Sequence, residues 1–355
     1  MLLSVTVDIG PDSLPFVTAA TTESLLMFGC RDVACAAVEE SLVPVPGMSP
    51  GTQAVGIGVG GSAVVRVGPL PDAGERGDWT RVLACEDAAC TSFAETRIDG
   101  VTPAYSRGGL IVDADGATYV LAHAQDGARL YRCSSPECAE GPTQLLAMPG
   151  AWSVVITDGL PLIVSPPGLG PLRIVRCEDA ECTSMIESVI GGEIWITSMS
   201  PLASTPDGRV SLLAMTPHKD LALVVWDAQD RAVSASVVLA SPTPGEEIQA
   251  ASITVDHAGN PVAAWVSVPA PGWTESNQSR LWIAHCDDPG CASGTISLVP
   301  TDDVGCGFID VDVDETGRTA LVYHLWSRET GGSLVVVSRC PDPGCVDVST
   351  DVRRW

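Results

Sequence analysis

The apolar positions of this chain come in short runs, and the runs come in fours. The last stretch, from Gly307, reads G-F-I-D-V-D-V-D-E-T-G-R-T-A-L-V-Y-H-L-W-S-R-E-T-G-G-S-L-V-V-V-S-R-C-P-D-P-G-C-V-D-V-S-T-D-V. Four segments rich in β-branched and apolar residues are broken by D-E-T-G, R-E-T-G-G and P-D-P-G, which are turn-forming sequences. No segment keeps a helical period over three turns, so the pattern predicts four short strands, A to D. The turn between A and B recurs as G-P-D-S (10–13), G-G-S (60–62), D-A-D-G (113–116), T-D-G (157–159), P-D-G-R (206–209), D-H-A-G-N (256–260) and D-E-T-G-R (314–318).

A second marker gives the same count. Cys-x4-Cys occurs at Cys30/Cys35, Cys85/Cys90, Cys133/Cys138, Cys177/Cys182, Cys286/Cys291 and Cys340/Cys345, in steps of 55, 48, 44, 109 and 54 residues. Within the long step, V-V-W-D-A-Q-D-R places Trp226 and Arg231 where cysteines would fall. The chain is therefore seven copies of one unit. A period of this size points to solenoids or propellers, and four strands per repeat selects the β-propeller blade. The expected fold is all-β: one seven-bladed propeller over 1–355, with blades about 1–46, 47–100, 101–148, 149–191, 192–241, 242–300 and 301–355. The 35 Gly and 27 Pro suit short strands and many turns, and no run of 18 apolar residues offers a membrane span.

A four-residue turn between two cysteines sets them opposite each other on antiparallel strands, where facing Cβ atoms lie about 4.5–5.5 Å apart. That is close enough for a disulfide after slight adjustment. Zinc would need two such pairs brought together, yet each pair belongs to a different blade and no histidine recurs beside them. Disulfides stapling the outer C–D hairpins are expected, each contributing about 2 kcal/mol. They also keep strand D, the edge of each blade, from fraying into an aggregation template. Such bonds imply an oxidising compartment. Met1 leads almost directly into L-L-S-V-T-V-D with no basic or apolar leader, so a secretion signal is expected to be missing from this sequence. The alternative is a cytosolic protein with reduced thiols. Cys306, the odd cysteine, reads either as a small buried residue at a blade start or as a bridge to a partner chain.

Charge removes whole classes of partner. Asp plus Glu is 44 against 19 Lys plus Arg, a net −25. Backbone neutralisation of nucleic acid needs the opposite sign, and anionic membranes are disfavoured for the same reason. Lys219 is the one lysine, and Asn260 and Asn277 the only asparagines, a composition associated with GC-rich bacterial coding. In a secreting eukaryote Asn277-Gln278-Ser279 would be a glycosylation acceptor.

T-D-G-L-P (157–161) followed by L-R-I-V-R-C-E-D-A-E-C (172–182), and H-A-G-N-P (257–261) followed by L-W-I-A-H-C-D-D-P-G-C (281–291), share a D-G-x-P / C-x-D-x-x-C pattern. It resembles a repeat of secreted bacterial β-propellers, notably of actinobacteria and myxobacteria. The A–B turns, D-A-D-G-A-T-Y (113–119) above all, are similar to degenerate Asp-boxes of sialidase-like and lectin-like propellers. The resemblance covers essentially the whole chain and implies the fold; it transfers no catalytic residue.

Candidate chemistry is sparse. His123, His218, His257, His285 and His324 form no metal-ligand spacing, and no nucleophile elbow or phosphate loop with a lysine occurs. G-I-G-V-G-G (56–61) is superficially like a dinucleotide fingerprint, but no helix follows it. Asp310, Asp312 and Asp314 fall on one face of a strand, which reads as a Ca²⁺ site or as an acidic wall of a wet central channel. No other cofactor is expected. In propellers the B–C and D–A connections share one face, and here the B–C loops vary in length. Trp79, Trp273 and Trp326 fall on them, with His123 and His218 beside them and Tyr105 on a D–A segment; Trp152 and Trp195 read as packing residues. An aromatic ring stacks a sugar face while polar neighbours bond its hydroxyls. Three functions follow in order of preference: a secreted, non-catalytic lectin-like module for cell-surface glycans; a protein-interaction subunit of an extracellular assembly; a polysaccharide-active hydrolase or lyase. The last needs convergent carboxylates with a Tyr or Arg cluster, and the chain has four tyrosines.

Overall fold

The computed structural model describes the chain apart from residues 1, 22, 33, 34, 36, 46–52, 59, 70–78, 104–108, 149, 152, 166–170, 191–201, 206, 271–278, 305–307, 327–332, 343, 344, 346–348 and 355. The side chains of 2, 3, 103, 302–304, 325, 326, 333 and 349–354 are outside the description as well. What it shows is seven antiparallel sheets in which four consecutive strands pair in chain order, joined in blade three by a short extra strand, Thr102–Pro103, on strand B. Blade one is built from residues 2–44 and blade seven from residues 309–354. This is a seven-bladed β-propeller, and among the described residues no strand is shared between the two ends of the chain.

Strand position explains the sequence pattern. Strand B is covered by a blade on each side, so in blade six Pro261–Pro269 runs buried almost throughout and reads as a continuous apolar stretch. Strand D has one covered and one open face, and Phe93–Asp99 alternates accordingly. Among the described residues the core divides into seven clusters, each lying in the seam between two neighbouring blades.

The cysteine pairs form the expected hairpin bridges, with Cα atoms 4.6–4.9 Å apart. They do more than staple an edge. Cys85 and Cys90 are buried against Phe16, Ala20 and Leu25 of blade one, and Cys30 and Cys35 against Val322 and Val337 of blade seven. The bridges of blades four, six and seven likewise join the seam with the preceding blade. Trp226 takes the same place in blade five, 3% exposed among Val210, Leu212 and Ile174. Its hairpin keeps the shape as well. The second cysteine of every pair has φ between 49° and 55°, and Arg231 has φ 56°. The left-handed turn thus persists where the covalent bond has gone.

Candidate functional site

Two faces of the disc differ in construction. On one, the A–B turns sit beside the C–D hairpins, because the first residue of strand B pairs with the first cysteine, as Thr319 does with Cys340 and Thr118 with Cys133. This face is regular, and its turns close on their own side chains. Asp113, Asp256 and Asp314 each accept the N–H four residues on, closing their turns. The third residue of C-x-D-x-x-C does the same for the hairpins. Asp87 takes the N–H groups of Ala89, Thr91 and Ser92, and the bonds from Thr91 hold its carboxyl below the usual range. Asp179, bonded by Thr183, and Asp288, bonded by Ala292 and Ser293, are lowered likewise. The spacing advertised this role, which sequence reasoning passed over in favour of the cysteines.

At the opposite face strands B end and strands C begin; in sequence, residues 68–78, 216–220 and 270–278 separate them in blades two, five and six. Tyr105 and Trp273 lie outside the described residues, as do Cys306, Trp152, Trp195 and Asn277. Trp326 closes strand B of blade seven opposite Ser333. His218 is exposed on the turn Thr216–Asp220, beside Lys219. His123 is half-buried, its Nε2 2.8 Å from the Ala151 carbonyl of the next blade.

Trp79 requires a correction. It opens strand C of blade two, Trp79–Cys85, and is 7% exposed. Its ring packs in the seam with blade one, with the Arg81 guanidinium 4.7 Å and that of Arg97 5.9 Å from its centre. It has little face left for a ligand. Trp282, not singled out from sequence, is half-buried, stacked on Trp265 at 6.4 Å and bonded through Nε1 to Ser267.

The seven A strands enclose a central cavity of about 340 Å³. Its wall is mostly Val, Ile, Leu and Ala, with Asp8, Asp310 and Asp312 on one side. The carboxylates are engaged by the protein. Asp310 accepts Val7 N–H at 3.1 Å and the Ser252 hydroxyl at 2.7 Å. Asp312 accepts Ile9 N–H at 2.7 Å and the Thr254 hydroxyl at 3.0 Å. Asp8 accepts Ile57 N–H at 2.6 Å and Ile9 N–H at 2.9 Å. These acceptors satisfy the inward edge of strand A, which has no strand beyond it. Asp314, two residues on, turns away to cap its own turn and pairs with Arg318 at 2.7 Å. Asp310, Asp312 and Asp314 therefore do not converge. Among the described residues no group of three or more His, Cys, Asp or Glu is placed to hold a metal ion. Burial, then repulsion from Asp312, pushes the Asp8 carboxyl well above its ordinary value; burial raises Asp312 too.

Comparison with known proteins agrees on class. No protein-family model matches the chain, and no curated protein does. A protein from Lactobacillus plantarum is similar in fold, with TM-score 0.57 and 14% identity, covering 95% of this chain and 96% of that one. The β-propeller domain of the trilobed protease from Pyrococcus furiosus, described as having an open velcro topology, gives 0.50 and 10% identity over 100% and 92%. A triple arginine-to-alanine mutant of AofleA from Arthrobotrys oligospora gives 0.48 and 13% over 79% and 83%. At these identities the likeness is one of fold alone.

Proposed function

We propose that this chain is a secreted, non-catalytic binding propeller that recognises cell-surface glycans through its B–C and D–A loop face. The observation that carries this reading is the asymmetry of the disc. One face is a repeated, hydrogen-bonded and disulfide-closed platform; the other bears connections of unequal length, with Trp273, Tyr105, Trp326 and His218 in that part of the sequence. Rigid scaffolds place recognition on such loops, and aromatic rings with polar neighbours suit sugars. Six disulfides fit an oxidising, extracellular setting. A non-catalytic role is favoured because the channel carboxylates hold the scaffold together instead of facing an open cleft.

The test is a broad glycan array probed with the oxidised protein, with and without Ca²⁺. Selective binding that disappears in Trp273→Ala while the melting temperature is kept supports the reading. A blank array overturns it in favour of a protein ligand.

A further inference from the structure

The seam between blades seven and one is the one place where the ring is joined without covalent continuity, and it holds a carboxyl pair. In blades two to five the innermost strands, Ala54–Ile57, Leu110–Val112, Ser153–Thr157 and Leu202–Ser204, contain no acid. Blade one brings Asp8 and blade seven brings Asp310 and Asp312.

The geometry at Ile9 is the central observation. Its single N–H is shared, with Asp8 Oδ1 at 2.9 Å and Asp312 Oδ2 at 2.7 Å. Two carboxyl groups from different blades thus meet at one hydrogen. From there the bonds run outward in both directions. Asp312 Oδ1 takes the Thr254 hydroxyl of blade six and its neighbour Val313 N–H, and Asp8 Oδ2 takes Ile57 N–H of blade two. Four blades are linked through this pair. Two half-buried carboxylates this close repel each other when both are charged, whereas a proton between them replaces repulsion by a hydrogen bond.

We propose that Asp8 and Asp312 are a proton-dependent latch on the propeller ring: holding one proton between them, they close the seam between blades one and seven, and when both are charged the seam loosens along the channel. The groups around the pair are mostly uncharged or engaged elsewhere, with Arg339 the cation that acts on Asp312. Blade two presents Val55, Gly56 and Ile57, none titratable. Blade six presents Thr254, while its Asp256 closes its own turn through Asn260. In blade one Asp12 caps Leu14 N–H. In blade seven Asp310 is bonded to Val7 and Ser252. The cations Arg318 and Arg339 are paired with Asp314 at 2.7 and 3.6 Å, and Arg339 is also attracted, more weakly, by Asp312. The raised Asp8 and Asp312 carboxyls agree with this. Both sit above their unfolded values, so their contribution is full in acid and is lost as pH rises through the folded value.

The experiment is amide hydrogen exchange of the intact oxidised protein from pH 5 to pH 8, expressed as protection factors so that intrinsic exchange is divided out. Protection at Ile9, Val7 and Ile57 should fall about tenfold or more across the range, while that of Val224 in blade five holds. Asp8→Asn and Asp312→Asn, each leaving one acid of the pair with Asp310 untouched, should flatten the fall. Flat protection in the wild type, or an unchanged fall in both variants, overturns the latch. Carboxyl ¹³C titration of the wild type needs no variant: one carboxyl of the pair still protonated at pH 5 supports the proposal, and both ionised there overturns it.

Discussion

At the scale of single residues, the same side chain does opposite work according to where a strand begins. Trp79 follows a loop in sequence but packs in the seam between blades one and two. Trp79→Ala should therefore cost about 3–5 kcal/mol in urea unfolding, as large-to-small core changes do. Trp273→Ala should shift the urea midpoint little, and equal losses in the two variants would remove the basis for treating Trp273 as a ligand contact. Arg231 marks a second kind of residue effect. At φ 56° it holds a conformation that costs a residue with a Cβ about 1–2 kcal/mol, and glycine gives back part of that gain through the freer unfolded chain. Arg231→Gly should raise stability by about 0.5–1 kcal/mol, seen as a higher urea midpoint at unchanged slope. A lower midpoint would mean that the arginine side chain, not the backbone turn, is what blade five needs.

At the scale of the element, the C–D hairpin was the most legible part of the chain and also the most under-read. Cys-x4-Cys and the A–B turn gave seven units and the strand order, because turn chemistry and disulfide reach are local properties of a few residues. That a bridge also fills the seam with the preceding blade was not legible, since packing partners lie a whole repeat away. The same distance hid the meeting of Asp8 with Asp312. Trp79 was misplaced for a different reason: a long loop of glycine, proline and acids gives no signal for where the next strand starts. Blade five turns this into a calculation. Restoring the staple as Trp226→Cys with Arg231→Cys would return about 2 kcal/mol of loop closure. It would remove a tryptophan that is 3% exposed, a change of about 3–5 kcal/mol. The double variant should form its disulfide and still be less stable than the parent by about 1–3 kcal/mol. A gain in calorimetric melting temperature would show that Trp226 contributes less than its burial implies.

At the scale of the molecule, ring closure without a shared strand makes the seam between blades seven and one depend on Val5, Val17, Val322 and Val335 for area and on the aspartates for direction. Stability should accordingly bend with pH from both sides. On the acid side, Asp207 is held at about 2 by Arg209 and Thr205, and Asp87, Asp179 and Asp288 are lowered by their turns. Their contribution is present above the unfolded carboxylate value and is lost as pH falls through the folded one. On the other side, the raised pair Asp8 and Asp312 loses its contribution as pH climbs. The melting temperature should pass through a maximum in mild acid and decline toward neutrality. Net charge of −25 would produce a decline of the same sign through self-repulsion, and salt separates the two causes. Raising ionic strength to 1 M shortens the screening length to about 3 Å, which removes most repulsion between surface charges and acts less on a half-buried carboxyl pair in direct contact with backbone N–H groups. A decline that persists in high salt and vanishes in Asp312→Asn belongs to the seam; one that salt abolishes belongs to the surface.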